Sequence, residues 1–111
     1  MKTIKIADLT ELQLDWAVAT CVGYSVSISE SGEVIILREC VVDYFDPHHN
    51  WGWGGPIIEH HITKLEDYGD CWGAEGVDAA EHFGPTPLIA AMRCYVASKL
   101  GDEVEIPEEL I

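Results

Sequence analysis

The spacing of apolar and polar positions changes several times along the chain, and each change marks an element. Leu14, Val18, Cys21 and Val22 recur at helical spacing, with Trp16 and Ala17 beside them. Thr10-Glu11-Leu12-Gln13 has the form of a capping box, Leu9 and Leu14 can staple its entrance, and Gly23 supplies a left-handed stop. The pattern predicts a helix over 11–22. Tyr24 to Ser29 then alternates strictly between apolar and small polar side chains, the period of a strand with one buried face. Ser29-Glu30-Ser31-Gly32 is turn chemistry, and Glu33 to Leu37 follows as a second strand whose apolar run continues patchily to Val41 and Val42. The pair reads as a hairpin.

Asp43 to Pro56 breaks the pattern. Its turn formers and aromatics predict a long loop, the kind of segment that is usually functional or mobile. Ile57 to Ile62 reads as a short third strand, Leu65 to Asp70 as an acidic connection, and Cys71 to Ala74 as a fourth strand. The last helix is the clearest: Thr86 caps it, Pro87 takes the first helical position, and Leu88, Met92, Tyr95 and Val96 form its stripe. Lys99 suits the last turn and Gly101 ends it. The tail from Asp102 to Ile111 is expected to dock loosely or fray. Two helices with a small sheet of three to four strands, one hairpin among them, predict a single α+β domain over 1–111, αβ sandwich-like in its packing.

Composition narrows the function classes. The chain has 111 residues with 20 acidic and 6 basic side chains, a formal net charge of −14. Such a field opposes phosphate backbones, so direct nucleic-acid binding is a poor fit. The longest apolar run, Leu88 to Met92, is five residues, too short for a membrane span. The acids serve either as a solubilising surface or as a surface that imitates a polyanion and occupies a partner's nucleic-acid site. Cys21, Cys40, Cys71 and Cys94 form no Cys-x-x-Cys pair, and reduced, mostly buried thiols are the expectation.

Little in the chain points to catalysis or a cofactor. His48-His49, His60-His61 and His82 offer imidazoles, but neighbours on a strand point to opposite faces, so no metal site is expected. No Gly-x-Ser-x-Gly elbow occurs, and Ser25, Ser27 and Ser29 read as the polar face of a strand. The aromatic segment carries more. Trp51 and Trp53, spaced by Gly52, Gly54 and Gly55, suit stacking on a planar ligand, since glycine lets backbone approach closely. The other reading is a lid in which both rings fold back on the core. The start of the last helix at Thr86 offers free N–H groups to an anion, or is simply capped by Thr86. Arg93 either pairs with a buried acid such as Asp15 or reaches a ligand phosphate, and Arg38 is the other arginine of interest.

Three segments together resemble the NinX-like family of small bacteriophage and prophage proteins: Leu14 to Ala19, Trp53 to Glu59, and above all Gly84 to Gly101. The resemblance implies a phage origin and the cytoplasm of an infected bacterium, and it implies no reaction. Small accessory phage proteins commonly act against host systems. The favoured expectation is therefore a non-enzymatic counter-defence protein, a homo-oligomer that sequesters a nucleotide-derived signal. Trp51, Trp53, Gly54, Gly55, Thr86 and Arg93 would form the ligand site, with no catalytic residue and no cofactor. The alternative is a DNA-mimicking inhibitor that docks on a host or phage protein through the acids at 66–81 and 102–109.

Overall fold

The computed structural model describes residues 1–77 and 80–111. In chain order the elements are β1 (Lys2–Lys5), α1 (Glu11–Val22), β2 (Ser25–Ile28), β3 (Val34–Arg38), β4 (Val41–Tyr44), α2 (Trp51–His61), β5 (Ile62–Asp67), β6 (Trp72–Gly76), β7 (Glu81–Gly84), α3 (Pro87–Leu100) and β8 (Glu103–Ile106). The fold is α+β.

Local chemistry sets the ends of α1. The Thr10 hydroxyl accepts the Gln13 N–H at 3.3 Å while the Gln13 side chain accepts the Thr10 N–H at 2.9 Å. Gly23, at φ 95°, stops the helix in the left-handed region. α3 opens with the Thr86 hydroxyl accepting the Ile89 N–H at 3.2 Å, and Pro87 follows at the first position. Thr86→Ala should therefore cost about 1 kcal/mol, read as a lower denaturant midpoint that Thr86→Ser restores.

The strands form three small antiparallel sheets, ordered β1-β8, β2-β3-β4 and β5-β6-β7. α3 buries Leu88, Ala90, Ala91, Met92, Tyr95 and Val96, packing on β6 and β7 with one face and on α1 and α2 with others. Its alanines permit that close approach. Leu14, Val18, Ile36, Phe45 and Ile106 complete the core.

Several expected elements differ. The patchy run after Leu37 is two strands, because Glu39 and Cys40 turn the chain at φ 48° and 68°. That tight turn leaves Cys40 exposed, and Cys94 is the one fully buried thiol of the four. The second half of the expected loop, and the strand expected at 57–62, are the helix α2. Asn50 caps it by accepting the Gly52 N–H at 2.9 Å, and Gly54, Ile57, Ile58 and His61 repeat at helical spacing. Three glycines and Pro56 make it a poor helix by propensity; packing on α3 outweighs that preference. The first half of the acidic connection, Leu65 to Asp67, is the end of β5, whose pairing with β6 places Leu65 opposite Ala74. The tail does not fray. β8 pairs with β1 and buries Val104 and Ile106, while the Gln13 amide donates to the Leu110 carbonyl at 2.9 Å. Among the described residues the α-helices thus number three and the strands eight, with short 3-10 turns at Ile6–Asp8 and Glu108–Leu110.

Candidate functional site

α2 separates two clefts, and its two tryptophans face different ones. Two positions apart on a helix is a rotation of about 200°, so Trp51 and Trp53 cannot share a ligand as a pair of stacked walls. Trp51, 54% exposed, stands on the rim of a cleft of about 470 Å³ with Glu11, His48, His49, Thr86 and Leu88. Trp53 packs the other way. Its indole N–H donates to the Tyr44 carbonyl at 3.1 Å, and its ring meets Phe45 edge-on at 5.2 Å and Tyr24 at 6.5 Å. The ring is therefore both a partial lid on the core and one wall of a second cleft.

That second cleft, about 550 Å³, carries an unusual set of charges for this chain. Tyr24, Phe45, Trp53, Ile57 and Tyr95 supply apolar wall, and Arg38, His60, His61 and Lys99 supply basic groups. Among the described residues no carboxylate lines it. Four other clefts among the described residues each present at least one: Asp102, Glu11, Glu30 with Glu109, and Asp102 with Glu103. Arg38, at the end of β3, lies with its guanidinium 4.8 Å from the Trp53 ring centre and 3.2 Å from Asp43. His60 and His61 occupy the last turn of α2 and Lys99 the last turn of α3, positions where cations offset the negative helix end. Both histidines reach one cleft because they sit on a helix; on the expected strand they would have diverged.

The chemistry there is that of binding. The His61 ring lies 4.7 Å from that of Tyr95, and burial, then Lys99 and His60, push its pKa down. Burial pushes the Cys21 thiol up to about 11, against a smaller opposing effect of Lys99, so Cys21 is a neutral wall group.

The first cleft is built on a buried acid. Asp15 is 1% exposed; its Oδ1 accepts the His48 N–H at 3.0 Å and its Oδ2 lies 2.6 Å from His48 Nδ1. His48 Nε2 is 3.2 Å from Glu11 and 2.9 Å from His49 Nδ1, and His49 Nε2 is 3.2 Å from Asp46. Burial pushes the Asp15 carboxyl up to about 8, with the His48 N–H acting the other way and Asp46 and Glu11 adding to the rise. The short contact holds a proton between carboxyl and imidazole, and it ties the segment before α2 to α1. Among the described residues no group of three or more His, Cys, Asp or Glu is arranged to hold a metal ion.

The expected site residues thus separate. Trp53 lies in the basic cleft, and Trp51 and Thr86 share the other. Gly54 is buried under α3, where an added Cβ would collide with Leu88 Cδ2 and lie 3.0 Å from the Pro47 carbonyl. Gly55 faces open space. Arg93 reaches neither Asp15 nor either cleft: its guanidinium donates to the Phe83 carbonyl at 2.7 Å, tying α3 to β7. Asp15 had a partner already in His48. The basic cleft itself escaped sequence reading, because its four basic side chains come from β3, α2 and α3 and meet only in the fold.

Fold and clefts define a small acidic α+β domain whose most distinctive concave surface is basic and aromatic. Residues 5–99 match the family model described as Bacteriophage P22, NinX, and the chain belongs to that family. No curated protein matches it. Among the described residues no helix is long and apolar enough to cross a membrane.

Proposed function

We propose that this phage accessory protein binds and sequesters a nucleotide-derived host defence signal in the Trp53–Arg38 cleft, without turning it over, in the bacterial cytoplasm and as a homo-oligomer. The observation that carries the reading is the acid-free, basic and aromatic lining of that cleft in a chain of net charge −14. The overall field opposes an anion, but at physiological salt it is screened over about 8 Å, so groups that touch the ligand dominate. Arg38 and Lys99 meet the phosphate while the aromatic rings take the base. The neutral Cys21 supports binding in place of covalent chemistry.

Native mass spectrometry of protein recovered from bacteria with active nucleotide-based defences tests this. A co-purifying small mass is expected, lost in Trp53→Ala and reduced at least tenfold in Arg38→Ala with Lys99→Ala. A bare wild-type protein under those conditions rejects the proposal. A second reading, the polyanion mimic, is supported by ordered carboxylates on the β5-β6-β7 sheet. There the Tyr68 hydroxyl lies 2.6 Å from Glu81 and 3.1 Å from Glu66, and Lys64 lies 2.9 Å from Glu66. Capture of a protein partner that weakens steeply with salt would favour it.

A further inference from the structure

The charge pattern of the Trp53 cleft says more about its ligand, taking as given the reading that this cleft is a binding site. We infer that the ligand is a phosphate ester and that its binding is coupled to the uptake of a proton at His61.

His61 is half-buried against Tyr95 on α3, and everything charged or titratable that lines the cleft around it is basic or neutral. Lys99 from α3 and His60 from α2 act on it directly, and Arg38 from β3, Tyr24 and the neutral Cys21 thiol from α1 line the same cleft. Tyr95 is kept neutral, its pKa raised by burial. Asp43, the acid beside Arg38, is 3.2 Å from that guanidinium and does not line the cleft. Among the described residues nothing that lines the cleft offsets a charge on the imidazole, and burial, Lys99 and His60 together disfavour its protonated form. A phosphate seated among Lys99, Arg38 and His61 reverses this balance. It supplies the missing counter-charge, and the imidazole takes a proton from solvent to become a donor to a phosphate oxygen. A neutral nucleoside offers no such compensation.

Linkage gives the sign and the size. Binding that takes up one proton tightens as pH falls, by up to about tenfold per unit. The gain levels off once the free imidazole is itself protonated, below its ordinary value of 6.5 because the shift is downward. Cyclic AMP is a suitable probe, because a diester lacks the second phosphate ionisation near about pH 6 that a monoester brings. Any pH dependence then belongs to the protein.

Calorimetry with cyclic AMP and adenosine, at about pH 6 and about pH 8 and in two buffers of different ionisation enthalpy, tests the inference. Cyclic AMP should bind at least fivefold more tightly at the lower pH with net proton uptake, and adenosine should bind much more weakly at both. His61→Gln should abolish the uptake and level the affinity between the two pH values, whereas His60→Gln should leave the uptake in place. Equal cyclic AMP affinity at both pH values, or uptake that persists in His61→Gln, overturns the proton coupling and leaves the cleft assignment standing. Adenosine binding as tightly as cyclic AMP overturns the phosphate requirement. Binding of neither probe, together with bare protein in the native mass spectrum, removes the cleft assignment itself.

Discussion

Asp15→Ala should destabilise the protein by about 2–4 kcal/mol, the cost of leaving buried hydrogen-bonding groups of His48 without their partner. The carboxyl is 1% exposed, accepts the main-chain N–H of His48 and shares a hydrogen bond with its ring Nδ1, so its loss leaves both groups unmatched beside a cavity. Asp15→Asn keeps the shape and one acceptor and should lose less. The same group dictates a pH dependence. In the unfolded chain the carboxyl releases its proton near 3.8, whereas the folded protein retains it up to about 8. The folded state thus binds the extra proton over that range. Its contribution to stability is complete below 3.8 and is lost as the pH rises through about 8. Thermal unfolding should accordingly show Tm falling between about pH 6 and about pH 9, with a flatter profile in Asp15→Asn. An unchanged profile in that variant would show that other groups set the slope.

Gly54→Val should cost about 2–3 kcal/mol through overpacking. An added Cβ collides with Leu88 Cδ2, lies 3.0 Å from the Pro47 carbonyl and 3.6 Å from Met92 Cε. The Cβ is pinned between α3 side chains on one side and the Pro47 oxygen of the segment before α2 on the other, a backbone atom that cannot move aside as a side-chain tip can, so α2 must shift. Replacing a helix-interior glycine gains at most about 1 kcal/mol in propensity, too little to compensate. Gly55→Ala is the internal control, since its Cβ meets nothing within 4 Å, and it should be neutral or slightly stabilising. Equilibrium denaturation of the two variants decides the matter. Equal stability would mean that α2 does not lean on α3 as described, and the Trp53 wall of the cleft would lose its support. Gly54 is thus small for the sake of helix packing, where the sequence alone allowed a close approach to a ligand.

What could be read from the chain itself was whatever local chemistry decides. The Thr10–Gln13 box and Gly23 bound α1, the alternation from Tyr24 marks β2, and Thr86, Pro87 and Gly101 bound α3; all depend on groups within about four residues of each other. Of these, the α3 signals at Thr86, Pro87 and Gly101 also fall in the segment that carries most of the family resemblance, and together the local signals set the α+β class. The tertiary structure decided the rest. α2 forms against its own glycines and proline because a packed face outweighs propensity, and that turns two tryptophans meant for one ligand toward two clefts. β1 and β8 pair across the whole chain, where no local pattern links them. Asp15 meets His48 rather than Arg93 because the segment before α2 crosses α1 while Arg93 turns toward β7. The basic cleft exists only because the fold brings Arg38 of β3, His60 and His61 of α2 and Lys99 of α3 around one cavity. A charge count adds all residues equally, whereas binding depends on the few that the fold brings within contact distance of one another.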